Sequence, residues 1–467
     1  MAAAASTAPL DRWTAAPGGL CNTRPRNDMS QPPVPPRPLG VVGLGMTGLP
    51  LAGAFRDAGR PVIGFERDAR RRALVEAGDG GALGVPAERW FAATDAAGRA
   101  RGALEVAGDL ERAGECEALF LCLPTPLGDD GEPDLSAIEA AARELGPHLV
   151  PDTLVVLCST TWPGTTTNVL ARWLDEASPL KVGRDLRLAY SPEREDPGSG
   201  RRTKEVPRLV AGVDAASLEH ARAVLGEAID EVHPVESCAA AESAKLLENV
   251  FRAVNIALVN EFKLVLGAMG IDAWPAVRAA ATKPYGFMSF EPGPGLGGHC
   301  IPVDPAYLTW AARIAGVPSR LVELALAVNR EMPARVVDAL ATTLQDRDRS
   351  LAGARVLVVG AAYKPGVSDT RESPGLSILI DLEERGALPE YLDPLVPSLA
   401  DEEDERLRGR RSQDPDAVDF AAYDAVIVAV AQPGVDLAAL ARDGRLIVDT
   451  RDALRAFDLP AERLVRA

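Results

Sequence analysis

The sequence predicts an α/β protein in which two doubly wound domains are joined by a central helical domain with one long helix. Short apolar strands alternate with helical patterns in residues 38–235, and the same alternation returns in residues 350–467. Between them, residues 241–263 contain neither Gly nor Pro and repeat their apolar residues with a helical period. These patterns indicate two Rossmann-like domains and a central domain at 236–345.

Length and composition indicate a multidomain protein without a membrane span. At 467 residues the chain accommodates two or three domains of roughly 100 to 200 residues each. Its residues are 47% hydrophobic, and no run approaches the roughly 20 apolar residues that a span needs. The formal net charge of −17 argues against nucleic acid as a partner, because basic surfaces bind a polyphosphate backbone.

The N-terminal segment, residues 1–37, is rich in Ala, Pro and Arg and is expected to be a disordered tail. It contains no apolar core of a signal peptide. The six cysteines match neither a disulfide framework nor paired metal ligands. We therefore expect no metal site and a reducing, cytoplasmic compartment.

The first strand of the chain, residues 38–42, leads into a Gly-x-Gly-x-x-Gly pattern that opens a helix. In such a pattern the first glycine permits a tight turn and the second lets a pyrophosphate approach the helix N-terminus. The third allows the helix to pack closely on the strand. The sequence therefore predicts a dinucleotide site, with contacts from Gly43, Gly45, Met46, Thr47 and Gly48.

An acidic residue completes the dinucleotide pattern. The next strand, 61–66, ends at Glu66, about 20 residues further on, where a carboxylate binds a ribose diol. A carboxylate at this position repels a 2′-phosphate, so the sequence predicts NAD rather than NADP. Four arginines follow, and we expect all but one to form a solvated helix face: Arg67, Arg70, Arg71 and Arg72.

Hydroxyl groups follow two further apolar strands. Residues 118–123 lead to Thr125, and residues 154–157 lead to Thr160. Ligands of doubly wound sheets bind beyond the carboxyl ends of the strands, so both threonines are predicted to contact a nicotinamide or an ordered water. The alternative is ordinary turn chemistry, since Ser, Thr, Pro and Gly are common in loops.

The long central helix has a polar stripe. Lys245, Asn249 and Arg252 fall on one side, about one turn apart, so they can converge on one ligand. A solvated face is the usual explanation for such a stripe. Here apolar residues occupy most of the remaining circumference, which indicates a buried helix whose polar groups need partners: Leu246, Leu247, Val250, Phe251, Val254, Leu258 and Val259.

Cys300 lies in a loop rich in glycine and proline, residues 292–305, four residues before the carboxylate of Asp304. A backbone-rich, polar setting favours a thiolate that can reach a substrate. The alternative is a structural cysteine, as expected for Cys122 and Cys158, which lie in apolar strand sequences. The local sequence leaves both interpretations open for Cys300.

The C-terminal α/β region lacks a second glycine pattern in its first loop, residues 360–365, so a second dinucleotide is not predicted. Lys364 and Arg371 lie on a strand-to-helix connection, where cations commonly hold phosphate oxygens. The alternative for Arg371 is a surface ion pair with Asp369 or Glu372.

Taken together, eight segments resemble the nucleotide-sugar 6-dehydrogenases, the family of UDP-glucose and UDP-N-acetylhexosamine dehydrogenases, in family order over residues 38–467. They are Gly-Leu-Gly-Met-Thr-Gly-Leu-Pro (43–50), Leu-Pro-Thr-Pro-Leu (123–127), Ser-Thr-Thr-Trp-Pro-Gly-Thr-Thr (159–166), Tyr-Ser-Pro-Glu-Arg (190–194), Lys-x-x-x-Asn-x-x-Arg (245–252), Gly-Gly-His-Cys-Ile-Pro-Val-Asp-Pro (297–305), Tyr-Lys-Pro (363–365) and Asp-Thr-Arg-Glu-Ser-Pro (369–374). The segment 281–288 is most similar to the UDP-N-acetylglucosamine branch.

The resemblance implies an NAD-binding domain, a central domain that usually forms a homodimer, and a C-terminal domain that holds the UDP of a UDP-sugar substrate. It implies oxidation of the sugar C6 alcohol to a carboxylate with two NAD⁺, through a thiohemiacetal and a thioester on Cys300. The uronic acid product usually feeds a surface polysaccharide.

Residue roles follow from the resemblance, position by position. The implied catalytic residues are Cys300, Lys245, Asn249, Asp304, Thr160 and Glu193. The implied substrate contacts are Glu193, Arg194, Lys245, Asn249, Arg252, Gly297 and Lys364. On the cofactor side the resemblance adds Glu66 and Arg71 at the adenosine ribose, Thr125 and Thr160 near the nicotinamide, and Arg371 near the cofactor or the diphosphate.

Two features depart from the family pattern, and three alternatives stay open. Glu66 stands where the family usually has Asp, and the N-terminal tail has no counterpart. One alternative is a two-electron hydroxyacid-type dehydrogenase with a structural Cys300. Another is a protein that binds a nucleotide sugar without catalysis. A third keeps the chemistry but acts on UDP-N-acetylmannosamine or UDP-glucose.

Overall fold

The computed structural model describes residues 36–78, 102–128, 130–194, 201–298, 300–400, 402 and 404–467, whose strands form two sheets. The first sheet contains β1 (Leu39–Val42), β2 (Val62–Phe65), β3 (Leu104–Ala107), β4 (Ala118–Leu121), β5 (Leu154–Leu157), β6 (Arg187–Tyr190), β7 (Arg208–Gly212) and β8 (Val232–Pro234). Its order is β3-β2-β1-β4-β5-β6-β7-β8, parallel except between β6 and β7. The order reverses between β1 and β4, the crevice where doubly wound sheets bind ligands.

The helices of the first sheet are α1 (Gly48–Asp57), α2 (Ala69–Ala77), α3 (Ser136–Leu145), α4 (Ala171–Ala177) and α5 (Ala215–Leu225). A π-helical segment, Thr165–Leu170, leads into α4. Side-chain caps fix the starts of two helices: Asp68 accepts from backbone N–H groups of α2, and Asp214 does the same for α5. Strands β1, β4 and β5 are buried along their whole length, because helices cover both faces of this sheet.

The central region consists of α6 (Cys238–Ala268), α7 (Ala273–Ala280), α8 (Cys300–Ile314) and α9 (Arg320–Gln345). The long helix is confirmed and extends beyond the expected 241–263. Ser237 caps its start, because the Ser237 hydroxyl accepts a hydrogen bond from the Ala240 N–H. It ends just before Gly270, which has a positive φ of 73°. Helix α6 packs against both α8 and α9.

The prediction that α6 is buried around most of its circumference is wrong. Lys245 and Asn249 are only 5% exposed, but an apolar stripe on the same helix is open. Leu247 is 66% exposed, Phe251 44% and Leu258 60%. The apolar positions were correctly identified, but a single sequence does not show which apolar face packs within the chain and which faces outwards.

The second sheet consists of β9 (Arg355–Val359), β10 (Leu388–Leu392), β11 (Ala425–Val428), β12 (Ile447–Asp449) and β13 (Leu464–Val465), with helices α10 (Pro374–Glu384) and α11 (Leu437–Asp443). All its strands are parallel, in the order β10-β9-β11-β12-β13. The α/β fold class with two Rossmann-like sheets and a helical centre is therefore confirmed. The domain boundaries drawn from the sequence stay predictions.

The predicted tail, residues 1–37, lies outside the described residues up to position 35. Cys122 and Cys158 are buried as expected, although each lies one residue beyond the end of its strand. Among the helices of the described ranges, none has the length and apolarity that crossing a bilayer requires.

Candidate active site

The glycine-rich turn between β1 and α1 has the geometry that a dinucleotide site requires. Gly43 has φ of 88°, and a Cβ there would lie 2.6 Å from the carbonyl oxygen of Cys122. A Cβ on Gly48 would lie 1.8 Å from the carbonyl oxygen of Gly43. Gly45, by contrast, has no atom within 4 Å of its Cβ position. The turn therefore needs two glycines for its own packing and leaves Gly45 open for a close ligand.

The carboxylate of Glu66 lies beside this turn. It accepts hydrogen bonds from the backbone N–H of Leu44 at 3.0 Å and of Asp68 at 3.1 Å. The Arg71 guanidinium lies 4.0 Å away. Arg72 donates to the carbonyl oxygen of Glu66, so two arginines, not one, contact this residue. Glu66 is thus held at the edge of the turn, where a ribose diol would approach.

The polar stripe of α6 divides into a buried part and an exposed part. Lys245 and Asn249 are buried, whereas Arg252, one turn later, is exposed. The Asn249 side chain donates a hydrogen bond to Asp304 on α8, with 2.5 Å between the atoms. Two of the three predicted residues therefore lie in one buried polar group, and Arg252 lies on the open side of the helix.

Asp304 is the centre of this group. It is 2% exposed, and burial raises the pKa of its carboxyl to about 6. The charge of Lys245 and hydrogen bonds from Asn249 and Thr160 oppose this shift, because they favour the charged form of Asp304. Glu193 lies close enough to raise the pKa slightly by charge repulsion. Four residues predicted from the sequence thus meet around the carboxylate of a fifth, Asp304.

Cys300 is the first residue of α8, one turn before Asp304, and its side chain is partly exposed. Desolvation and the negative charge of Asp304 raise the pKa of the thiol to about 12, although Lys245 opposes the shift. The expectation that the glycine-rich loop stabilises a thiolate is therefore wrong. The backbone turn presents the sulfur, but desolvation, with a smaller contribution from the charge of Asp304, favours the protonated thiol, so a base must remove that proton during reaction.

The loop that precedes Cys300 is fixed from both sides. Its Gly293 N–H donates to the Asn260 side chain of α6 at 2.9 Å. Its Gly298 N–H donates to the Arg371 carbonyl oxygen at 2.9 Å. A Cβ on Gly297 would lie 2.5 Å from the Cβ of Tyr363. Close packing against the C-terminal domain is the reason for glycine at position 297. His299 lies outside the described residues.

Arg371 forms the ion pair of its alternative interpretation, and its role at a phosphate stays a prediction. It forms an ion pair with Asp369, with 2.7 Å between nitrogen and oxygen. Its guanidinium also lies 3.1 Å from the sulfur of Met46 in the glycine-rich turn, and its charge acts on Cys300. Arg371 therefore connects the C-terminal domain to the predicted dinucleotide turn and to the thiol.

The remaining predicted residues have different surroundings. Thr125 is buried and hydrogen-bonds to Tyr307 of α8, which also donates to the Pro126 carbonyl oxygen. Arg194 forms an ion pair with Glu248 of α6 at 2.7 Å. Lys364 lies 5.6 Å from the ring of the adjacent Tyr363, beside Gly297 of the Cys300 loop.

Sequence reasoning missed several residues that hold the site together. Asn260 supports the Cys300 loop and is itself held by Asn329 of α9 at 3.1 Å. It lies on the α6 stripe, fifteen positions after Lys245, so the same helical period would have found it. Tyr307 lies on α8 seven positions, or about two helical turns, after Cys300, so the helical period would have placed it on the same side of that helix. Nothing in the sequence pairs Asn260 with Asn329.

Three family models cover most of the chain. The NAD binding domain of the UDP-glucose/GDP-mannose dehydrogenase family matches residues 38–229. The central domain of that family matches residues 239–331, and its UDP binding domain matches residues 357–456. The described glycine turn and Glu66 lie within the first match, and Lys245, Cys300 and Asp304 lie within the second.

Curated relatives and solved structures agree with these matches. A UDP-N-acetyl-D-glucosamine 6-dehydrogenase of Pseudomonas aeruginosa is 33% identical over 360 residues, 77% of this chain and 83% of the relative. A UDP-N-acetyl-D-mannosamine dehydrogenase of Escherichia coli K12 is 34% identical, covering 73% and 81%. The structure of a UDP-D-ManNAc dehydrogenase from Pyrococcus horikoshii has a TM-score of 0.77 at 28% identity, covering 92% of this chain and 98% of that chain.

Proposed function

Because the chain belongs to the UDP-glucose/GDP-mannose dehydrogenase family, we propose that it oxidises the C6 alcohol of UDP-N-acetylglucosamine to the carboxylate in two NAD-dependent steps. The observation that carries this proposal is the partly exposed thiol of Cys300 one turn before the buried Asp304. Lys245 and Asn249 surround that carboxylate. A thiol is needed because an aldehyde has no alcohol hydrogen to lose in a second hydride transfer.

The residues of the first domain fit NAD. The open position at Gly45 lies at the start of α1, where a pyrophosphate is favoured by free backbone N–H groups. Glu66 would bind the adenosine ribose with Arg71 beside it, and Thr125 would lie on the nicotinamide side. The nicotinamide supplies a hydride acceptor in each oxidation. The proposed contacts of this cofactor are Gly43, Gly45, Met46, Thr47, Gly48, Glu66, Arg71, Thr125, Thr160 and Arg371.

The first oxidation converts the C6 alcohol into an aldehyde. The hydroxyl loses its proton to the buried polar group while C6 loses a hydride. Lys245 and Asn249 stabilise the negative charge that develops on the C6 oxygen, because both present N–H donors in a buried setting. The Cys300 sulfur then adds to the aldehyde carbon, and Asp304 accepts the thiol proton.

The second oxidation acts on the thiohemiacetal. This adduct still carries a C6 hydrogen and a hydroxyl group, so it becomes a thioester on Cys300 when C6 loses a second hydride and the hydroxyl loses its proton to the buried polar group. Water then attacks the thioester carbon and the carbon–sulfur bond breaks. One proton of the water goes to the sulfur of Cys300, and the other passes through the buried polar group to solvent as the carboxylate leaves. Thr160, hydrogen-bonded to Asp304, and Glu193 are proposed to orient this water.

Several cations suit the UDP end of the substrate. Lys364 follows Tyr363, which packs against Gly297 of the Cys300 loop, and the negatively charged diphosphate would be attracted to this lysine. Arg252 is exposed and Arg194 is partly exposed, so both are accessible to a ligand. Arg194 would exchange part of its ion pair with Glu248 for the substrate.

The choice of sugar rests on segment 281–288, which resembles the UDP-N-acetylglucosamine branch. The named relatives at 33% and 34% identity act on UDP-N-acetyl-D-glucosamine and UDP-N-acetyl-D-mannosamine, so the second is the main alternative. We place the enzyme in the cytoplasm, in the synthesis of a surface polysaccharide, because nucleotide-sugar substrates and NAD are available there.

We also propose a homodimer formed through α6. Its open apolar stripe includes Leu247, Phe251 and Leu258, and the exposed Phe262 and Val265 continue it. An apolar stripe of this length suits a second copy of the chain. Light scattering should give twice the mass of 49.2 kDa, and Leu258→Glu should give the monomer mass. A wild-type monomer would contradict the dimer.

The substrate proposal is tested by comparing kcat/KM for UDP-N-acetylglucosamine, UDP-N-acetylmannosamine and UDP-glucose. We expect UDP-N-acetylglucosamine to be preferred by at least tenfold. Preference for either of the other two sugars would mean that the enzyme carries out the same reaction on a different substrate. Activity on none of them, with turnover of a simple 2-hydroxy acid, would contradict the proposed function.

A further inference from the structure

We propose that Glu242 is a positioning residue for thioester hydrolysis, because it fastens the loop that carries Thr160 to the helix that carries Lys245. This inference rests on the function proposed above. The loop after β5, residues 159–166, is called the β5 loop here. Glu242 lies on α6, three positions before Lys245, and is completely buried.

The carboxylate of Glu242 is bound entirely by groups of the β5 loop. One oxygen accepts from the Gly164 N–H at 2.6 Å. The other accepts from the Thr166 N–H at 2.8 Å and from the Thr166 hydroxyl at 2.6 Å. These donors stand at the start of the π-helical segment, so the negative charge also faces the positive end of a helix.

The buried carboxylate of Glu242 stabilises the β5 loop, which supplies its hydrogen-bond donors, rather than the helix α6 that carries it. A buried carboxylate is costly unless it is hydrogen-bonded, and burial raises the pKa of Glu242 above its ordinary value. A neutral side chain would avoid that cost if it only had to fill space. The three short hydrogen bonds instead fix the distance between α6 and the end of the β5 loop.

The start of the β5 loop is fixed independently. The Ser159 hydroxyl donates to the Leu123 carbonyl oxygen at 2.7 Å and accepts from the Leu123 N–H at 3.1 Å. Thr160, the next residue, is hydrogen-bonded to Asp304. Glu242 therefore holds one end of a short loop whose other end contacts the proposed catalytic carboxylate.

These bonds close a ring around the site. Glu242 joins α6 to the β5 loop, Thr160 joins that loop to Asp304, and Asp304 is joined back to α6 by Asn249. Without Glu242 the loop keeps its Ser159 end, its bond to Asp304 and the packing of Trp162 against α8, but it loses the hydrogen bonds that join it to α6. A displacement of about 1 Å in such a group costs on the order of a hundredfold in rate. Because Thr160 is proposed to orient the hydrolytic water, the affected step should be hydrolysis.

The test compares Glu242→Gln with Glu261→Gln, a matched change at an exposed position of the same helix. Glu242→Gln keeps the size but turns an acceptor into an amide that faces N–H donors. We expect kcat to fall by about 10- to 100-fold, with KM for NAD and UDP-sugar changed less than threefold. Intact mass spectrometry of acid-quenched enzyme should detect a thioester adduct on Cys300 that Glu261→Gln and wild type do not accumulate.

Thr166→Ala provides a milder second variant in case Glu242→Gln does not fold. It removes one of the three hydrogen bonds and keeps both backbone bonds. It should accumulate the same adduct, with a smaller fall in kcat. Glu242→Asp should recover part of the Glu242→Gln loss, because the charge is kept.

Two results would overturn the positioning role. One is a folded Glu242→Gln, or a folded Thr166→Ala, that turns over within twofold of wild type. The other is a fall in kcat without any thioester adduct, which would make Glu242 a structural anchor only. Failure of the underlying function has a different signature: wild type would then release one NADH per sugar, and no variant would form an adduct on Cys300.

Discussion

The Asn249 amide nitrogen lies 2.5 Å from a carboxylate oxygen of Asp304, and this hydrogen bond joins α6 to α8 one turn after Cys300. It opposes the effect of burial, which raises the pKa of Asp304 to about 6. Without this donor the pKa of the buried carboxyl would be higher still. The bond therefore keeps a larger fraction of Asp304 ionised, and available as a base, near neutral pH.

Replacing Asn249 by Ala should shift the acidic limb of the pH–activity profile to higher pH. Asp304 loses a donor that favours its charged form, so its pKa rises and a larger share of the enzyme carries the protonated carboxyl. We expect the acidic limb of kcat/KM, near pH 6 in wild type, to shift to higher pH by about one unit, which by itself lowers the rate at pH 6 about fivefold. Asn255→Ala, on the same helix, is the control, and an unshifted limb in Asn249→Ala would argue against Asp304 as the base.

Replacing Asp304 by Asn should stabilise the protein above pH 6 while lowering its activity. The folded-state pKa is raised, so the stability associated with Asp304 is fully present below its unfolded pKa of roughly 4 and is lost as pH rises through 6. The free energy of unfolding of Asp304→Asn should exceed that of wild type by about 1 to 3 kcal/mol at pH 8.

That difference should shrink towards zero at pH 4, where the carboxyl is protonated in the folded wild type. Denaturant titrations of both proteins at the two pH values measure it. A wild type that is the more stable protein at pH 8 would show that the hydrogen bonds of the Asp304 carboxylate outweigh its desolvation. Such a trade of stability for function is expected at catalytic groups.

Replacing Glu66 by Ala should weaken NAD binding specifically. The change removes the carboxylate that accepts from the Leu44 N–H and would bind the adenosine ribose. We expect the Kd for NAD to rise by about 10- to 100-fold, or about 1.4 to 2.7 kcal/mol, with little change in KM for the UDP-sugar. Glu76→Ala, at an exposed position of α2, should bind NAD normally. An unchanged Kd for NAD in Glu66→Ala would show that the adenosine ribose does not bind at Glu66.

Much of the fold could be predicted because its signals are local. The strand at residues 154–157 was predicted with its observed bounds, and the predicted strands at 38–42, 61–66 and 118–123 agree within two residues, since parallel buried strands read as continuous apolar runs. Glu66 was identified by its distance from the glycine pattern and lies beside that turn.

What the sequence could not supply depends on contacts between distant segments. The thiol pKa of Cys300 is set mainly by desolvation and by Asp304, and no local pattern reveals burial. In the sequence Glu242 looks like an ordinary glutamate of a helix, and only the structure shows that it binds the β5 loop. The ion pair of Arg194 with Glu248 likewise joins residues 54 positions apart.

The most direct test of the account is the amount of NADH formed per UDP-N-acetylglucosamine consumed, for wild type and for Cys300→Ser. We predict two equivalents in wild type and loss of this two-equivalent turnover in the variant, because the thiohemiacetal and thioester need the sulfur. One equivalent in wild type, or turnover that survives in Cys300→Ser, would contradict the covalent four-electron mechanism and make Cys300 structural.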